Sequence, residues 1–179
     1  MSTTPTPAEP LWEGRHLKVV RLDRWEFVRR VKPGGVVGIV AVTARDELVL
    51  VEQFRPPAGA RVVELPAGLV GDAPGQESEA FEAAARRELL EETGYEAQHW
   101  EQLFEGFTSP GLTDEAITFF RAKDLVKKEP GGGSANEAIT VHEVPLGDVH
   151  RWLGQKQGQG VAVDLKVYAG LGELFRRGR

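Results

Sequence analysis

Arg87-Glu88-Leu89-Leu90-Glu91-Glu92-Thr93-Gly94-Tyr95 places an arginine and three carboxylates within six residues of a strongly helical segment. Glu88 and Glu92 are four residues apart, so they lie one turn above each other on a single helix face. There both carboxylates can converge on one hard divalent cation. Arg87 and Glu91 have the same spacing, offset by one residue, which lets the guanidinium hold the third carboxylate in place on a neighbouring face. Taken alone, such a run is more often a solvated helix carrying ordinary ion pairs, and the flanks decide. Upstream, Leu65-Pro66-Ala67-Gly68 reads as a strand-ending loop in which the glycine permits a close backbone approach. Glu79 opens the helix eight residues before Arg87, and Gly94 closes it.

From Gly68 to Tyr95 the chain resembles the Nudix box, a glycine, then a glutamate, then Arg-Glu-aliphatic-x-Glu-Glu-x-Gly-hydrophobic. The match is complete from Glu79 onward. It departs in one place: ten residues separate Gly68 from Glu79, more than the family pattern has. The surplus lies in the Gly- and Pro-rich stretch Val70 to Glu77 and reads as a longer surface loop. Val51-Glu52-Gln53-Phe54-Arg55-Pro56, Glu64-Leu65-Pro66-Ala67-Gly68 and Ser109-Pro110-Gly111 extend the resemblance to ADP-ribose pyrophosphatases and related nucleoside diphosphate sugar hydrolases. Pro110 stands fifteen residues after Tyr95, the position associated in that subfamily with ADP-ribose and sugar-nucleotide substrates.

The whole-chain numbers agree with one α/β domain. There are 179 residues, 41% of them hydrophobic and 27% charged. A net charge of -5 without a long Lys/Arg cluster gives no electrostatic footprint for nucleic acid or an anionic membrane, so a polyanionic substrate needs metal. The absence of cysteine excludes disulfides, thiol catalysis and Cys-based zinc sites. No apolar run approaches a membrane span and Met1 to Pro7 lacks the regions of a signal peptide, so a cytoplasmic location is expected.

Residues 1 to 10 read as a disordered Pro/Thr-rich tail. Trp12 to Val31 reads as a β-hairpin turning at Asp23-Arg24. The continuous β-branched run Val36 to Val42 predicts a buried strand, followed by strands at Leu48 to Gln53 and Val62 to Leu65. The helix is expected over Ser78 to Thr93 with Ser78 as its N-cap. Strands follow at Trp100 to Phe107, Ile117 to Ala122 and Ile139 to Val144, with a glycine-rich loop at Lys127 to Ala135. Pro145-Leu146 starts a helix to Leu153. A terminal helix spans Val161 to Arg176 with Leu165, Tyr168, Leu171 and Phe175 on its buried face. The resemblance implies a Nudix α/β/α sandwich with a mixed central sheet over residues 36–179. It also implies an N-terminal β-hairpin region at 11–35 that forms a homodimer contact.

Hydrolysing a pyrophosphate puts water onto phosphorus while negative charge accumulates on oxygen, which calls for divalent cations. Glu88 and Glu92 are the expected metal ligands, with Glu91 as an additional or bridging ligand and, by resemblance, the Ala67 carbonyl. An all-oxygen, carboxylate-rich site suits Mg2+, with Mn2+ as the substitute. Arg87 and Glu79 are supports. In related enzymes a glutamate on a loop after the box activates the water, which points to Glu137 beside three glycines, with Glu115 as the competitor. Arg55 can fork onto phosphate oxygens. Trp25, with Arg24 and Glu26, meets the adenine in the manner the resemblance implies. His16, His142 and His150 have no ligand spacing. The expected activity is hydrolysis of ADP-ribose to AMP and ribose 5-phosphate. The alternatives are a GDP-mannose or other nucleotide-sugar hydrolase, or a non-catalytic nucleotide sensor. A sensor of that kind typically lacks box carboxylates or carries a DNA-binding domain; neither applies to this chain.

Overall fold

The computed structural model describes residues 8–32, 34–72, 75–133 and 138–176. Its central layer consists of two mixed four-stranded sheets. In the first, β4 (Val36–Ala41) lies between β7 (Ala67–Leu69) and β9 (Ala116–Lys127), with β8 (Tyr95–Phe107) at the edge. The β4 and β9 strands are parallel and the other pairings antiparallel. In the second, β5 (Glu47–Arg55) is flanked by β10 (Thr140–Pro145) and β6 (Ala60–Glu64), and β6 pairs in parallel with the short β11 (Ala162–Val163).

Alternation along the strands sends side chains to two cores. Val37, Ile39 and Ala41 of β4 and Val49 of β5 meet Ala84, Ala85 and Leu89 of α1 (Phe81–Thr93) on one side. Val36, Val40, Leu48 and Leu50 meet α2 (Val149–Gly158) and α3 (Leu165–Arg176) on the other. This is the expected α/β/α sandwich. Every residue of β4 is buried, as a strand covered on both faces requires.

The N-terminal region is a three-stranded antiparallel sheet of β1 (Glu9–Glu13), β2 (Leu17–Leu22) and β3 (Trp25–Arg30), so the hairpin gains a strand that starts inside the stretch expected as tail. This sheet docks onto the loop before β9: Val28 N donates to Leu112 O at 2.8 Å, and Arg29 Nε donates to Asp114 Oδ2 at 2.6 Å.

Three helix expectations need correction. The α1 helix starts at Phe81, capped by Ala80 with no side-chain hydrogen bond, so Ser78 is not its N-cap. Glu79 is instead held in a turn outside the helix, its amide on Gln76 O and its carboxylate committed to tertiary partners. In α3 the buried positions are Val167, Gly170, Leu171 and Leu174, while Leu165, Tyr168 and Phe175 are exposed. Gly170 is the reason, because the helix rests that glycine against Leu65 and Val40, where a Cβ would stand 3.0 Å from each side chain. The α2 helix also starts late, at Val149, because Pro145 still pairs in β10 and Leu146 to Asp148 make a turn. Among the described residues no helix is long and apolar enough to cross a membrane.

Candidate active site

The site forms where α1 crosses the β7 loop. Glu88 and Glu92 are buried on one face of α1, 8% and 6% exposed. Glu88 lies directly over Gly68, where a Cβ would occupy the space of its carboxylate. This is the close approach that the glycine was expected to allow. Glu92 Oε2 accepts from the Ala67 amide at 3.0 Å, which fixes the loop residue whose carbonyl the family resemblance names as a ligand. Burial pushes the Glu88 carboxyl up to about 7, against the opposing pull of Arg87. A carboxylate held out of water so far above its ordinary range favours a cation that restores its charge.

Arg87 organises the surroundings. Its Nε donates to Glu79 Oε1 at 3.2 Å, Nη1 to Glu88 Oε1 at 2.7 Å and to Glu91 Oε2 at 3.3 Å, and Nη2 to Leu69 O at 3.0 Å. Glu79 Oε2 in turn accepts from the Gly71 amide at 3.1 Å. Arg87 and Glu79 are therefore supports, as their spacing suggests. Glu91 turns toward Arg87 with its side chain 55% exposed.

Among the described residues no three acidic or imidazole side chains stand together as a ready cage. Two buried carboxylates and a backbone carbonyl are nevertheless a fitting set for a small hard cation that keeps much of its water. The Gly68 cradle suits the same purpose, because it lets the loop backbone lie against the Glu88 carboxylate without a side chain between.

At the C-terminus of α1 the orphan carbonyls are taken up by a glycine strap. Gly133 N donates to Glu91 O at 3.0 Å, Gly132 N to Glu92 O at 2.9 Å and Lys127 Nζ to Thr93 O at 2.7 Å. Glu137 lies outside the described residues. Its competitor Glu115 is held by Arg30, whose Nε donates to Glu115 Oε2 at 2.8 Å. Both line a 510 Å³ cavity with Lys18, Arg29, Lys32 and Phe81.

Of the residues expected to bind substrate, Trp25 and Pro110 come together, lining a 260 Å³ pocket with Phe27 and Phe107. Arg24 is exposed in the turn before β3, and Glu26 pairs with Arg21 at 3.5 Å. Arg55 forks onto buried Glu64, with Nε to Oε1 at 2.6 Å and Nη2 to Oε2 at 2.9 Å. Glu64 lies in the Glu64-Leu65-Pro66-Ala67-Gly68 motif without an expected role. The signal was a carboxylate inside the apolar strand Val62-Val63-Glu64-Leu65, which needs a cationic partner when buried. Asp72, whose Oδ1 lies 3.2 Å from Arg87 Nη2, was missed as well.

The NUDIX domain family matches residues 32–165 of the chain. The chain belongs to the NUDIX family. This Nudix chain is 35% identical to the methanol dehydrogenase activator of Bacillus methanolicus, over 83% of its own length and 82% of the relative's. It is 39% identical to the ADP-ribose pyrophosphatase of Bacillus subtilis (strain 168), over 71% of its length and 66% of the relative's. A solved structure described as an ADP compounds hydrolase superposes with a TM-score of 0.61 at 20% identity, covering 84% of this chain and 86% of that one. At that identity the superposition shows the Nudix fold alone. Divalent metal dependence is general to Nudix hydrolases, and Glu88, Glu92 and Ala67 are where this one can meet it.

Proposed function

We propose that this Nudix hydrolase cleaves the pyrophosphate bond of ADP-ribose, or a closely related nucleoside diphosphate sugar, with Mg2+ as its cation and Mn2+ as a substitute. The observation that carries the proposal is the pair of buried carboxylates, Glu88 and Glu92, set against the Gly68 and Ala67 backbone. The substrate is supported by the likeness to the Bacillus subtilis ADP-ribose pyrophosphatase. Bound between these carboxylates, a divalent cation supplies charge neutralisation at the phosphate oxygens and acidifies water. Water adds to phosphorus as the bridging P–O bond breaks, giving AMP and ribose 5-phosphate.

The protein's own groups orient and deprotonate. Arg55, steadied by Glu64, is proposed to grip phosphate. Trp25 and Pro110, which share a pocket, are proposed to receive the adenine, with Arg24 and Glu26 at its edge. Glu137 is proposed as the general base. Its flank Gly133 is bonded to the Glu91 carbonyl beside the ligands, whereas Glu115 is neutralised by Arg30. A cytoplasmic homodimer contacting through residues 11–35 completes the proposal, in keeping with the exposed Leu11, Trp12 and Leu17 of that sheet.

The deciding experiment is a hydrolysis panel of ADP-ribose, GDP-mannose, FAD, NADH and a nucleoside triphosphate with Mg2+, with the products identified. ADP-ribose is expected to be cleaved fastest. Glu137→Gln should then lower the maximal rate on the order of 100-fold or more, and Glu115→Gln far less. Faster hydrolysis of a triphosphate removes the substrate assignment, and a larger loss at Glu115 reverses the roles of the two glutamates.

A further inference from the structure

The Arg87 guanidinium is shared between two sides. On the ligand side Nη1 meets Glu88 Oε1 at 2.7 Å and Glu91 Oε2 at 3.3 Å. On the loop side Nη2 has two hydrogens yet faces Leu69 O at 3.0 Å, Asp72 Oδ1 at 3.2 Å and Glu79 Oε2 at 3.2 Å. Glu79 belongs to the motif. Asp72 belongs to the surplus loop between Gly68 and Glu79 and reaches in from the surface, its side chain 46% exposed.

We propose that Asp72 is a positioning residue for the metal site, sharing the Arg87 guanidinium so that less of its charge falls on Glu88 and this carboxylate stays available to a cation. The inference rests on the metal site proposed above. A cation approaching Glu88 competes with Arg87 for the same oxygens, and charge that Arg87 spends on Asp72 is withheld from Glu88. Removing the Asp72 charge opposes the cation twice. The guanidinium leans harder on Glu88 and Glu91, and the local negative charge falls by one. Both effects weaken metal binding without altering a ligand.

Calorimetric titration of the full chain with Mg2+, without substrate, tests this on wild type, Asp72→Asn and Glu77→Gln. Glu77 sits on the same loop, but its carboxylate accepts from the Gly75 amide in its own turn, at 3.3 Å. Its substitution removes the same unit of charge with no contact to Arg87. Asp72→Asn is expected to weaken Mg2+ binding on the order of tenfold, the low end for losing a partner behind a ligand, because Asp72 is half exposed. Glu77→Gln is expected to leave the affinity within about twofold, as a screened surface charge should. The thermal midpoints of the metal-free proteins should coincide. Equal affinity in wild type and Asp72→Asn overturns the assignment, as do equal losses in the two variants. A lowered metal-free midpoint with unchanged affinity marks Asp72 as merely structural. Wild type that takes up no Mg2+ removes the metal site itself and Asp72's role with it, so the two failures are distinguishable.

Discussion

Gly68 and Glu88 meet so closely that position 68 has no room for a side chain. A Cβ at position 68 overlaps the Glu88 carboxylate, which is itself buried and has nowhere to retreat. Gly68→Ala should therefore keep the fold, by far-ultraviolet circular dichroism, and lower metal-dependent turnover on the order of 100-fold, the cost of misplacing a group by about 1 Å. Glu88→Gln and Glu92→Gln keep side-chain size and are expected to nearly abolish turnover. Unchanged rates at limiting Mg2+ would remove both from the ligand set. The glycine's role and the paired carboxylates were legible because they follow from local chemistry and helical spacing. So was the Arg87–Glu91 pair, whereas the Glu64 partner of Arg55 and the Asp72 partner of Arg87 were not. The Arg55–Glu64 fork depends on the β5–β6 register, which sets Arg55 opposite Ala60 and Val51 opposite Glu64, and no local pattern encodes it.

Helix α1 is fixed more tightly at its end than at its start. Gly94 is left-handed, with φ of 71°, and a Cβ there would run into the Glu129 carbonyl of the strap. Gly154, inside α2, has open space around its missing side chain. Glycine to alanine should thus act in opposite directions. Gly94→Ala is expected to lower stability by more than about 1 kcal/mol, and Gly154→Ala to raise it by up to about 1 kcal/mol. Urea midpoints of the two variants check the signs, and a shift in the same direction for both would contradict the geometry. The same reasoning explains the misjudged face of α3. Hydropathy spacing favoured Leu165, Tyr168 and Phe175 along with Leu171, whereas the helix packs where the absent side chain of Gly170 lets it come nearest and only Leu171 of the four is buried.

At the scale of the whole molecule, buried Glu52 joins four elements on the face of the sheet away from α1. It accepts from Arg61 Nε of β6 at 2.6 Å and Lys156 Nζ of α2 at 2.6 Å, and its other close partner is His142 Nε2 of β10, at 3.0 Å. Burial raises its pKa, but these partners outweigh burial and bring it down to about 2 from the ordinary 4.5. A depressed carboxylate contributes stability that is full above 4.5 and is lost as pH falls toward 2. Burial also lowers the His142 pKa, so its neutral form adds to acid sensitivity from below about 6.5. Glu52→Gln is expected to cost roughly 3 kcal/mol at pH 7, the lower end for removing one partner of a buried ionic group. The gap from wild type should narrow as pH falls below 4.5, and a gap independent of pH would mean that the charge of Glu52 does not carry the effect. The glycine strap has a different consequence, for how this chain can change in length. From Lys128 on Gly94 O to Gly132 on Glu92 O and Gly133 on Glu91 O, each strap donor has a numbered acceptor, so one inserted or deleted residue would put the series out of step. The stretch between Gly68 and Glu79 already carries extra residues and still presents its ends to Arg87. Extra residues are thus admitted before α1 and refused after it.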